Sequence, residues 1–313
     1  MKSTLSAIEV FVSERNLEPS KHLGIVSEIV RALTNHIEDI ELLTESEISG
    51  LVQKLISYTI LSPVPIPLSS EMPIIRAVRY DLDQGIGYTD TSRLSYIPLE
   101  SDVVPKLGRL NSAGESMFYG SLGVGNNSVG TILSECRAES GDVYNVLYCK
   151  TDKNCQLKLK QFPPSLYVVP IGVFDHFRRG VPEPFGLNDD FKEMYNFMHN
   201  CAEPDLSMAL HLCDAFLTDV LSRREFGKLY EVTSKIAKEC MKAPEIDGVL
   251  YPSIQLSGHP NLALKPSSVK QKITYVKATS IAVEESYHYC LHKIKSLGDG
   301  DINEAEIVWR SKP

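Results

Sequence analysis

The chain has 313 residues, 43% hydrophobic and 23% charged, an ordinary globular composition long enough to bury a core without a metal or disulfide staple. Its 32 basic and 40 acidic residues leave a formal charge of −8, with no basic run and no interleaving of Lys or Arg with aromatics, which argues against nucleic acid as a partner. Seven cysteines without a CxxC pair exclude a disulfide framework and a zinc ribbon, and read as the reduced thiols of a cytoplasmic protein.

The first residues meet Glu9 and Glu14 before any long apolar run, so no signal peptide is expected. No run approaches the roughly 20 residues of a membrane span. Residues 1–60 read as helical: Leu23, Val26, Ile29, Val30 and Leu33 recur at spacings of three and four, and Thr44 with Glu47 forms a capping-box pattern before Ile48, Val52 and Leu55. Pro63, Pro65 and Pro67 then forbid helix and favour an extended linker. This sets a boundary between an N-terminal helical region, 1–65, and a larger part, 66–313. Such a helical unit must bury its apolar stripes, against the larger part or against a second copy of the chain.

Beyond the boundary, Pro73–Tyr80, Met117–Ser121, Val143–Cys149 and Leu166–Ile171 read as strands. Residues 188–243 are helical, for example Leu206–Leu221 and Leu229–Met241. Gly248–Ser253 is a strand entering a turn, and Lys272–Ala278 and Ala305–Trp309 close the chain as strands. Strands early and late with helices between predict an α+β fold.

Several familiar chemistries fail on spacing. The glycines from Gly120 to Gly130 do not make GxGxxG, because Ser128 stands where the last glycine should be, and they read as a loop. His288 and His292 are four apart, as two ligands on one helix would be, but no HExxH surrounds them and no metal is expected. Ser253 lacks a GxSxG elbow.

What remains is an ordered set of pieces: Ile75-Arg76, Gly108-Arg-Leu-Asn111 with Gly114, Phe118-Tyr-Gly-Ser121, Thr131-Ile-Leu-Ser-Glu135, Asp247-Gly-Val-Leu-Tyr-Pro-Ser253 and Asn261-Leu-Ala-Leu264. This order is similar to the RES domain, named for an Arg, a Glu and a Ser, over about residues 73 to 266. The Leu229–Glu239 segment resembles that family's helix before the Ser. Arg79-Tyr80 competes with Arg76 for the first position. His259-Pro260 departs from the pattern where the family carries a glycine, and residues 1–65 have no counterpart in the minimal domain.

The resemblance implies an ADP-ribosyltransferase-like fold and consumption of NAD as substrate. The nicotinamide–ribose bond would break by hydrolysis or phosphorolysis. ADP-ribosyl transfer to protein stands as the alternative within enzymes, and a catalytically silent interaction protein as the alternative outside them. Family members often act as toxins held by an antitoxin protein, which makes NAD, an antitoxin and a second copy of the chain the partners to expect. Glu135 would stabilise the ribosyl cation, Tyr119 would stack on the nicotinamide ring with its hydroxyl near the ribose, and Ser253 would donate to a phosphate or the ribose. Arg76 or Arg79-Tyr80, together with Arg109, would hold the pyrophosphate, since the guanidinium fork matches it. Asn111 and Asn261 would fix loops.

Overall fold

A computed structural model describes residues 2–59, 64–67, 73–81, 85–98, 100–122, 128–151, 165–180, 189–253, 260–287 and 291–311. Among these, the chain opens with three helices, α1 (Lys2–Arg15), α2 (Pro19–Ile37) and α3 (Glu45–Ile56). The capping box is formed as expected: Thr44 Oγ1 accepts from Glu47 N at 3.3 Å, and Thr44 N donates to Glu47 Oε2 at 2.7 Å. The strands are β1 (Val64–Pro67), β2 (Ile74–Tyr80), β3 (Phe118–Leu122), β4 (Val143–Thr151), β5 (Ser165–Pro170), β6 (Gly248–Pro252), β7 (Pro260–Leu264), β8 (Ile273–Ser286), β9 (His292–Asn303) and β10 (Glu306–Ser311). The remaining helices are α4 (Ser128–Glu135), α5 (Val173–Arg178), α6 (Asp189–Cys201), α7 (Pro204–Ser222), α8 (Leu229–Cys240) and α9 (Pro266–Lys272).

The α+β class follows from this order. The ten strands form one sheet in the order β1-β5-β6-β7-β3-β2-β4-β8-β9-β10. Among the described strands only β5 and β6 run parallel, and α5 to α8 lie between them in the chain. The proline segment is extended as expected, but it is built into the sheet, with Val64 opposite Val168 and Pro67 opposite Ser165. Pro cannot donate to a ladder, which confines such a strand to a sheet edge, and β1 is an end strand. The boundary at residue 65 falls inside β1.

Helices α1, α2 and α3 pack on α6, α7 and α8 respectively. Val26, Leu33, Val52 and Leu55 share one hydrophobic core with Leu217 of α7, Ile236 of α8 and Val249 of β6. A second cluster lies under α4, where Ile132 and Leu133 meet Ile75, Tyr144 and Val146 of the sheet and Ile281 and Val283 of β8. His292 begins a strand, not a helical ligand pair, and its sequence partner His288 lies outside the described residues. So do residues 123–127 of the glycine-rich stretch, together with Gly258 and His259.

Candidate functional site

The site is built around the end of α4. This helix finishes in a Schellman motif: Arg137 N donates to Ser134 O at 2.9 Å, Ala138 N donates to Leu133 O at 3.0 Å, and Arg137 sits in the left-handed region at φ 54°. Ala138 and Leu133 close the apolar contact that accompanies the motif. Glu135 is thereby the last helical residue. An anion there faces the negative end of the helix dipole, an unfavourable place worth about 0.3–1 kcal/mol unless a donor or a cation compensates. A donor is present, because Ser253 Oγ, 118 residues later at the end of β6, donates to Glu135 Oε1.

Strand pairing explains why Ser253 arrives there. Tyr251 of β6 lies opposite Asn261 of β7, Asn261 opposite Ser121 of β3, and Ser121 opposite Ile75 of β2. Paired residues share a face, so Tyr251, Asn261, Ser121 and Ile75 form a row on the face that α4 covers. Ser253 follows Tyr251 at the period of two and falls on the same face. Tyr251 is buried, and its phenol is pushed well up, first by burial and then by the neighbouring Tyr119 and Glu135. The sequence reading passed over Tyr251, although its alternation with Ser253 places both on one side of the strand.

Arg76 joins this cluster and Arg79 does not. By the period of two Arg79 shares the face of Ile75 and Arg76 the other, so contacts and not parity decide: Cys136, Tyr119 and Tyr251 neighbour the Arg76 head. Arg76 Nε donates to Leu94 O at 3.0 Å and Nη1 to Tyr119 O at 2.7 Å, and its guanidinium stands 5.6 Å from the Phe118 ring. Burial lowers its pKa, which means the head is desolvated. Arg79 is exposed and pairs with Asp142 Oδ1 at 2.5 Å. With Tyr80 and Tyr88 it lines a separate cleft of about 670 Å³ at the end of β2 and β4.

The Gly108–Gly114 segment acts as a loop clamp. Asn111 Nδ2 donates to Lys106 O at 2.8 Å, Ser112 O at 3.0 Å and Glu115 O at 2.9 Å. Its Oδ1 accepts from the Tyr119 hydroxyl at 2.7 Å, and that hydroxyl accepts from Leu110 N at 2.9 Å. A Cβ on Gly108 would collide with Asn111 Oδ1, which is why glycine stands there. The Tyr119 hydroxyl, expected beside a ribose, is therefore spent on the loop, and burial pushes its pKa up to about 12. Asn111 fixes a loop as expected, and Asn261 is buried within β7.

Arg109, expected on a pyrophosphate, is placed otherwise. Its Nη1 donates to Leu221 O at 2.8 Å and Val220 O at 3.4 Å, and its Nη2 to Arg223 O at 2.7 Å. These are the last carbonyls of α7 and the one that follows, so the guanidinium serves as a helix cap from a distant loop.

Among the described residues no group of three or more His, Cys, Asp and Glu could hold a metal ion, and no helix is long and apolar enough to cross a membrane. Comparison of the chain with protein-family models, with curated proteins and with solved structures finds no match in any of the three.

Proposed function

We propose that this chain consumes NAD by breaking the nicotinamide–ribose bond on an ADP-ribosyltransferase-like fold. One observation carries the reading: Ser253 and Glu135, 118 residues apart, are hydrogen-bonded at the end of α4, and the neighbouring Tyr251 stands between them and Arg76 with Tyr119. Departure of nicotinamide leaves positive charge on the ribose. Glu135 supplies a carboxylate for that charge, and the α4 dipole adds negative potential at the same point. The Ser253 hydroxyl sets the orientation of that carboxylate. Arg76, held by two carbonyls, presents its charge to a phosphate of the substrate. Arg109 belongs to the support of the site. In this reading the protein is a growth-arresting toxin whose cognate antitoxin closes the pocket.

The test is to incubate the purified chain with NAD, with and without inorganic phosphate, and follow NAD and label on protein. The expected result is NAD loss, with phosphate dependence marking phosphorolysis and labelled protein marking transfer. Glu135→Gln should lower turnover on the order of a hundredfold or more, with an unchanged melting temperature. Intact NAD in every arm and no labelled protein would leave a silent interaction protein as the surviving reading.

A further inference from the structure

The carboxylate proposed to meet the ribosyl cation stands on the last residue of an eight-residue helix. A helix end frays unless something outside the helix holds it. The Schellman motif closes the backbone, and Tyr144 adds a weak bond from its hydroxyl to Cys136 O at 3.4 Å. Neither sets the rotation of the helix about its own axis. Apolar packing of Ile132 and Leu133 on the sheet fixes distance but gives little direction. The Ser253 hydroxyl orients the carboxylate itself, and a second directional bond holds the helix at the preceding residue. Ser134 Oγ and His292 Nε2 are hydrogen-bonded at 2.8 Å, from positions 158 residues apart.

His292 is itself well fixed. It is the first residue of β9 and lies opposite Ser286, the last pair of the β8–β9 ladder. Lys293 beside it reaches both Glu284 and Glu285 at 3.3 Å, tying the register across the two strands. The same strand β8 lays Ile281 and Val283 against α4. Gly141 N donates to Val283 O and Val283 N to Asp142 O, each at 2.8 Å, so the turn after α4 is anchored to the hairpin as well. The hairpin lies downstream of the motif frame, which ends near residue 266.

We infer that His292 is a positioning residue: through Ser134 it sets the orientation of α4 and so the place of the Glu135 carboxylate, which makes the β8–β9 hairpin a working part of the site. The inference rests on the NAD-consuming reading. Misplacing a reacting group by about 1 Å can cost about a hundredfold, so loss of one of several anchors should cost less, about tenfold. The loss should fall on kcat and spare KM, because Arg76 is held by Leu94 and Tyr119 and not by His292 or Ser134.

The experiment measures NAD turnover of the full chain for wild type, His292→Ala, Ser134→Ala, the double variant and His292→Gln. Amide exchange of residues 133–137 is followed in parallel. The expected result is a kcat lower by about tenfold in each Ala variant, with KM unchanged and exchange accelerated at 133–137. The double variant should be no worse than either single, since both remove the same bond. Gln, whose amide can renew the bond to Ser134, should restore most of the rate. Should His292→Ala fail to fold, Ser134→Ala carries the same test from the other partner. A wild type that leaves NAD intact overturns the reading beneath. An active wild type with unchanged kcat in both Ala variants, or additive losses in the double variant, overturns the positioning role alone.

Discussion

His199 of α6 and His211 of α7 stack face to face, ring centroids 3.8 Å apart and planes 8° from parallel, with the Tyr195 ring 4.4 Å from His199. Burial chiefly, and then His211, push the His199 pKa from its ordinary 6.5 down to about 4. The folded state therefore holds this imidazole neutral where the unfolded chain would protonate it. Stability from this group is present above pH 6.5 and is lost as pH falls toward 4, because there the unfolded state binds the extra proton. Urea midpoints across that range should fall steeply for wild type and more shallowly for His199→Phe, which keeps a ring in the stack. Parallel profiles would mean that His199 does not drive the acid sensitivity. The choice between Arg76 and Arg79 also belongs to this scale. Both are arginines in one strand, and their local patterns left the register open. Strand parity with Ile75 would favour Arg79; the contacts favour Arg76, whose buried head bonds Leu94 O and Tyr119 O while Arg79 is exposed and paired with Asp142.

At the scale of elements, α7 ends without a basic residue in its last turn. Helix C-termini favour cations there, since the last carbonyls have no partner within the helix. Arg109 supplies that charge from the Gly108–Gly114 loop, and in doing so joins the loop to α7. Arg109→Ala should therefore cost about 1.5–3 kcal/mol of stability, the usual worth of hydrogen bonds to a charged group, read from urea unfolding. A variant with an unchanged midpoint and a raised KM for NAD would return Arg109 to the pyrophosphate. Helices were the most legible elements: Thr44 and Glu47 mark the start of α3, and the spacing in Leu229–Met241 marks α8. Strand β7 was quoted only as part of a motif. All five of its residues are buried, so no alternation of apolar and polar residues announces it.

At the scale of the whole molecule, the N-terminal helices are continuous with the rest. Leu33 of α2 is fully buried in the core shared with α7, α8 and the sheet. Leu33→Ala should cost about 2–5 kcal/mol through lost burial and the cavity left behind. It should lower a single cooperative transition of the full chain in calorimetry. A separate early transition for residues 1–60, with the rest unmoved, would show an independent unit and defeat this expectation. By itself the sequence determined the α+β class, the capping box, most helices and the strands with clear apolar runs. Those features rest on interactions within a few residues, which a local pattern records. Tertiary structure alone decided that the proline segment is an edge strand, that Arg109 caps a helix, that the Tyr119 hydroxyl serves a loop and that His292 reaches Ser134. Each depends on a partner that folding brings from far along the chain, and a strand or a long polar side chain takes its role from that partner.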